Sequence, residues 1–270
     1  MSLAALRRAC VYLFLSLAAF LSVFPFYWMV VGATNTSADI VTGRLSVGGN
    51  LMVNIETLLT QVDLPRIFWN SFLLAVVSTI LTIGVSSLAG YGFEMFRSRL
   101  RERLFQILLL LLSIPFAALM VPLFVMISRV QLNNSFTAVI LPTIASIFIV
   151  FYFRQATKSF PRELRDAARV DGLKEWQIFL FVYVPTMRST YAAATIIVFM
   201  AAWNNYLWPL IVLQTPDMKT ITLVISALTV AYTPNYGVIL LAAVLATAPT
   251  LIIFFVLQRQ FVQGMVGAIK

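Results

Sequence analysis

Six stretches of this chain are long, apolar and nearly free of charge: residues 9–33, 67–93, 104–128, 130–153, 189–216 and 235–258. A helix needs about 20 such residues to cross the hydrocarbon core of a bilayer. Inside that core every backbone polar group has to be satisfied within the protein, which favours helices. The pattern predicts an all-α polytopic membrane protein with six transmembrane helices, residues 1–270 forming one membrane domain. Composition agrees, with 61% hydrophobic residues and only 11% charged ones. A soluble domain carries about a quarter of its residues as charges, so this chain cannot coat a globule with water-compatible surface. Its 22 Phe are equally incompatible with disorder.

Two runs need closer reading. The apolar stretch 220–258 is too long for one span, and Tyr232-Thr233-Pro234-Asn235 breaks it, because proline cannot continue a helix and biases the residue before it away from one. That leaves 235–258 to cross and 221–231 as a short outer-face or re-entrant helix. The first run follows Arg7-Arg8, as in a signal peptide, whose apolar region is about 7–15 residues. Here it continues through Phe24-Pro25-Phe26-Tyr27-Trp28, a full span ending in an aromatic belt, so it is expected to be retained.

With six spans both termini share a side. Lys and Arg divide 15 to 4 in favour of that side and the acids 6 to 4, so the whole formal charge of +9 lies there. The termini are expected to be cytoplasmic. Basicity is then a topology signal, with no nucleic-acid partner implied. No span carries an obvious buried charge, which argues against an ion-coupled carrier. There is no His, and the lone Cys10 suits a small apolar position in the first span. The chain also lacks G-x-x-x-x-G-K-[ST] and any nucleophile–base or metal constellation. It is expected not to be an enzyme, and to bind no metal or cofactor of its own.

The loop 154–188 is too organised to be a simple connection. In Ser159-Phe160-Pro161-Arg162-Glu163-Leu164, Ser159 or its neighbour can cap a helix, Pro161 suits its first turn and Glu163 its positive end. Gly172 supplies a stop. Leu164, Ala167, Ala168 and Asp171 fall at i, i+3, i+4 and i+7 and so share one face, with Arg162, Arg165, Asp166 and Arg169 on the neighbouring one. A second helical stretch, 173–181, is expected to run along the membrane surface and close at Val182-Tyr183-Val184-Pro185. The element is suited to docking a partner; spacing alone leaves open a basic loop that merely happens to be helical.

Asp166-Ala167-Ala168, Asp171-Gly172 and the closing Val182-Tyr183-Val184-Pro185 resemble the EAA loop of ABC-importer permeases, with Asp in place of Glu and Val in place of Ile and Leu. Asn70-Ser71, Leu88-Ala89-Gly90-Tyr91-Gly92-Phe93, Trp203-Asn204-Asn205-Tyr206-Leu207-Trp208-Pro209 and the tail from Gln258 to Gly264 resemble the maltose-type carbohydrate branch, and within it the six-span, MalG-like subunit. The resemblance implies a permease of a binding-protein-dependent importer for a sugar or oligosaccharide, in a bacterial cell (inner) membrane. Implied partners are a companion permease, two ATPase subunits that carry ATP and Mg, and an extracytoplasmic solute-binding protein contacting loop 34–65. It places Leu164, Asp166, Ala167, Ala168, Asp171, Gly172 and Pro185 at the ATPase contact, with the tail 258–270 beside it. Trp203, Asn204, Asn205, Tyr206 and Trp208 are candidates for the translocation path; an interfacial aromatic belt with interhelical hydrogen bonds would use the same residue types. A permease for a non-sugar solute, or an autonomous secondary transporter, are the alternatives.

Overall fold

The structure, a computed structural model, describes the backbone of residues 3–267 and the side chains of residues 7–258. Among these every regular element is helical. The first helix, α1 (Leu3–Gly32), precedes two short ones, α2 (Ser37–Val41) and α3 (Leu51–Gln61), and the long α4 (Leu64–Met95).

The expected third and fourth spans are not single rods. Residues 104–128 resolve into α5 (Arg99–Leu111) and α6 (Phe116–Arg129), which meet at 101°. Pro115 accounts for the break. Its ring and missing N–H are incompatible with a helix whose carbonyl four residues back, on Leu111, is in register, and α5 ends on that residue. Residues 130–153 resolve into α7 (Phe136–Ile144) and α8 (Ile147–Thr157), bent by 41°; the Ser146 hydroxyl caps α8 by accepting from the Ile149 amide at 3.4 Å.

The loop that follows holds α9 (Arg162–Val170), α10 (Glu175–Ile178), a π-helical turn over Phe179–Tyr183 and α11 (Val184–Thr186). Next come α12 (Arg188–Trp203) and α13 (Leu207–Val212), split at Asn204 because Pro209 cannot accept a helix through Asn205, then α14 (Ile221–Thr229) and α15 (Tyr236–Gly267). Four described segments are long and apolar enough to cross a membrane: Arg7–Gly32, Leu64–Met95, Arg188–Val212 and Tyr236–Gln258. Taking each bent pair as one span makes six.

The chain divides into two compact units. The first comprises the chain through Pro65 together with Ile221–Ala248. Its core is Ala33, Leu58, Val238, Leu241 and Ala242, and beside it lies a buried amide knot. Asn54 Nδ2 donates to the Ala33 and Asn35 carbonyls at 2.9 and 3.1 Å, and Asn35 Nδ2 to those of Val31 and Ser46 at 3.0 and 2.9 Å. Asn54 thereby reaches two carbonyls just beyond Gly32, the last residue of α1, where no further helical turn supplies a donor. Gly237 is required at the knot, since a Cβ there would lie 2.6 Å from the Asn35 carbonyl oxygen. Away from the knot α1 is open, Tyr12, Leu13, Phe14 and Phe20 all being exposed.

The second unit comprises Arg66–Thr220 and the chain from Pro249. One cluster packs Ile149 and Phe153 of α8 against Ala194 and Val198 of α12. Gly90 brings α4 onto α8: a Cβ at 90 would fall 2.6 Å from Phe153 Cβ and 2.8 Å from the Arg154 amide nitrogen.

Candidate functional site

Two places in the second unit gather the residues singled out by the sequence: the loop around α9 and a cavity at the helix breaks.

The local folding of α9 follows from its ends. Pro161, expected in the first turn, is the residue just before it, at φ −64° and ψ 120°; its lack of an N–H removes no bond in either place. Gly172 adopts φ +83°. Its amide donates to the Arg169 carbonyl and that of Leu173 to the Ala168 carbonyl, each at 3.0 Å, the pair of bonds that closes a helix through a left-handed residue. Leu164, Asp166, Ala167, Asp171 and Gly172 are exposed, whereas Ala168 is buried. The expected single face is therefore split: Ala168 packs inward and its neighbours stand outward.

The arginines also differ from expectation. Arg165 and Arg169, one turn apart, both turn back to Glu175. Arg165 donates to one carboxylate oxygen from Nε and a terminal nitrogen at 3.3 and 3.1 Å. Arg169 reaches the other oxygen at 2.7 and 2.5 Å. Arg165 also lies over the Phe96 ring, 4.8 Å from its centroid, and Tyr91 of α4 places its hydroxyl 3.5 Å from Glu175. Burial pulls the Glu175 carboxyl up, but hydrogen bonds and charge from Arg169 and Arg165 outweigh it and hold the group below the usual value of 4.5. Asp166, by contrast, makes no hydrogen bond or ion pair among the described residues.

Behind α9, Tyr91, Phe160, Phe179, Tyr183 and Met187 form an aromatic seat. The Tyr183 and Thr157 hydroxyls are 2.6 Å apart. The second helical stretch does not close before Pro185 but continues to Thr186. The π turn explains how: Val184 bonds back five residues to Phe179, so the register shifts just where the Pro185 ring would otherwise collide.

The expectation of spans without buried charge needs correcting at their ends. Glu94 and Arg154 lie one residue beyond the boundaries read from the sequence, and both are buried. Arg154 Nε is 3.6 Å from Glu94, its terminal nitrogen is 2.5 Å from Glu102, and its guanidinium sits 3.9 Å from the centre of the Phe105 ring. Arg97 also pairs with Glu94. One cation thus ties α4, α5 and α8 together.

The cavity has a volume of about 500 Å³ and takes its walls from all three helix breaks. Ile114 and Phe116 come from the first, Ala145 and Ser146 from the second and Asn205 from the third. Ser71, Ser78 and Thr82 of α4, with Thr143, add hydroxyls, and among the described residues no charged side chain lines it. Irregular backbone at membrane depth is tolerated where it is buried in protein or borders a cavity.

Of the candidate path residues, Trp203 and Asn205 line this cavity. Asn204 is exposed and donates to the Met200 carbonyl at 2.9 Å; Tyr206 is half-buried and not part of the lining. Trp208 is fully buried away from it, its indole donating to the Ala138 carbonyl at 3.0 Å. The reason lies in α7: the helical donor for Ala138 would be residue 142, which is proline. Trp208 supplies the bond that Pro142 cannot.

Glu175, Glu94 and Arg154 were not singled out by sequence reasoning as site residues. The signal for Glu175 was present, as two arginines four apart followed by an acid beyond the glycine stop. The tail from residue 259 has no described side chains, so the expected role of 258–270 lies outside the described residues.

Residues 81–267 match the family described as binding-protein-dependent transport system inner membrane component. The chain is 62% identical over 259 residues to the lactose transport system permease protein LacG of Rhizobium radiobacter, covering 96% of this chain and 95% of that one. It is 34% identical over 273 residues to the arabinooligosaccharides transport system permease protein AraQ of Bacillus subtilis, covering 97% and 96%. Among solved structures, a chain of a bacterial ABC transporter involved in the import of the acidic polysaccharide alginate superposes with a TM-score of 0.80 at 20% identity, covering 97% of this chain and 99% of that one.

Proposed function

The chain belongs to the family of binding-protein-dependent transport system inner membrane components, and from that premise we propose that it is the permease subunit of an ATP-driven importer for a neutral sugar or oligosaccharide. The observation that carries the proposal is α9, a helix that follows Pro161 and is closed at Gly172, with Leu164, Asp166, Ala167 and Asp171 left outward. A short exposed helix of fixed orientation is what a cytoplasmic ATPase needs in order to push on a membrane domain. Pro185, exposed at the far end of the loop directly after the π turn, belongs to the same proposed contact.

In this reading two ATPase subunits hold ATP and Mg, a companion permease completes the path, and a solute-binding protein delivers sugar to the outer face. The termini lie in the cytoplasm. Hydrolysis on the neighbours biases a two-state membrane interface, and this chain does no chemistry. The uncharged, hydroxyl-bearing cavity with Trp203 and Asn205 suits a polyol better than an anion.

The test is co-expression with the neighbouring permease and ATPase. The ATPase should co-purify in detergent, and vesicles holding the complex should take up lactose only with ATP and the loaded binding protein. Uptake by this chain alone, without ATP, would overturn the proposal. Gly172→Asp, strained at φ +83°, should weaken ATPase co-purification.

A further inference from the structure

Glu175 lies outside the EAA pattern, yet it is where the exposed helix is fastened to the rest of the second unit. A helix of nine residues, Arg162–Val170, is too short to hold its own orientation, and only Ala168 along it is buried. What remains to hold it is the closure at Gly172 and the two arginines one turn apart. Both guanidiniums end on the same carboxylate, at 3.1 Å for Arg165 and 2.5 Å for Arg169. Glu175 belongs to the helical run that is packed into the aromatic seat, with Ile178 fully buried and Phe179 and Tyr183 in ring contact with Tyr91 of α4 at 5.3 and 4.8 Å. The Arg165 ring contact with Phe96 strengthens the same junction.

We infer that Glu175 is a positioning residue for coupling: its carboxylate clamps Arg165 and Arg169 so that a push on α9 moves α4 and the loop as one piece. Without the clamp α9 stays docked on its partner but swivels on Gly172, and ATP is hydrolysed with less solute moved. The inference rests on the importer reading above and adds to it a residue that touches neither the ATPase nor the solute.

The experiment uses the assembled complex in lipid vesicles, with lactose as the probe and loaded binding protein present. Glu175→Gln keeps the shape and removes the charge. The ratio of solute moved to ATP hydrolysed should fall at least about fivefold, the lower end of ordinary coupling between sites. ATPase co-purification should be unchanged, and hydrogen exchange should quicken over residues 162–172 without quickening in α12. Glu175→Asp should restore most of the ratio, and Arg169→Gln, which leaves Arg165 in place, should give an intermediate value. An unchanged ratio in Glu175→Gln overturns the inference. So does a loss of assembly in Glu175→Gln that Arg169→Gln shares, because the pair would then simply hold the fold. Failure of the importer reading is distinguishable, since the unaltered complex would then show no ATP-dependent uptake.

Discussion

Two regions of the second unit solve the same problem, joining helices, by opposite means. Around the ends of α4, α5 and α8 and behind α9 the joints are ionic: Arg154 between Glu94 and Glu102, and Arg165 with Arg169 on Glu175. Around the cavity they are neutral, with the Thr82 hydroxyl on the Thr143 carbonyl at 3.1 Å and the Trp208 indole on that of Ala138. Water explains the division. A full charge at membrane depth is costly, so only where helices emerge can guanidiniums and carboxylates serve as ties. In the middle the partners are carbonyls freed by helix breaks and ends, for which a hydroxyl or an indole N–H suffices. The difference teaches where motion is cheap: the part-exposed Glu175 joint can be remade in water, whereas the buried Arg154 joint and the neutral bonds around the cavity have no such replacement.

Arg154→Met is expected to test the ionic side most severely. It leaves Glu94, 2% exposed, with only the part-exposed Arg97; breaking a buried pair from one side costs about 3–5 kcal/mol, and Arg97 should hold the loss to the lower end of that range. Thermal unfolding in detergent should show it, and adding Glu94→Gln should recover most of the loss. If the double substitution is no better than the single, the pair is not what holds these ends.

Trp208→Phe keeps one aromatic ring and orphans the Ala138 carbonyl, for a loss of about 1–3 kcal/mol beyond that of the void left by the smaller side chain. The matched change Pro142→Ala restores a backbone donor and should offset it; absence of that offset would mean that the proline does not explain the indole bond. Thr82→Val should cost less, about 0.6 kcal/mol, the mean of interhelical hydrogen bonds measured in membranes.

The smallest effect is the response of the Glu175 joint to pH and salt. A carboxyl held below its ordinary 4.5 stabilises the native form above that value, and the contribution fades as pH falls through the lowered native one. Hydrogen exchange in α9 should quicken on acidification within that window and in raised salt. The buried Arg154 joint should be insensitive to salt, and equal sensitivity of the two would erase the contrast.

The apolar runs made the rough extent of four membrane-length helices legible, with two more where a bent pair is taken as one span, because bilayer thickness sets one length for all of them. Gly172 was legible for a similar reason, since only a left-handed residue ends such a helix cleanly. The breaks at Ser113–Pro115 and Asn204–Tyr206 were hidden although their prolines were in view, because hydropathy does not register direction. A bend of 101° leaves the apolar count of 104–128 untouched. The roles of Trp208 and Glu175 were hidden for a different reason. Each is defined by a partner distant along the chain or by a turn in three dimensions, and a stripe of residue types at helical spacing cannot say whether an arginine looks outward to a partner or back to its own loop.

The Ala138–Trp208 bond also has a meaning in time. A chain made from its N-terminus presents the Ala138 carbonyl 70 residues before its donor exists. At about 5–20 residues per second that delay is roughly 4–14 s. Throughout it α7 carries a gap that no residue yet synthesised fills in the final structure. The bond that completes α7 therefore belongs to the last stage of its folding, after α13 has been made.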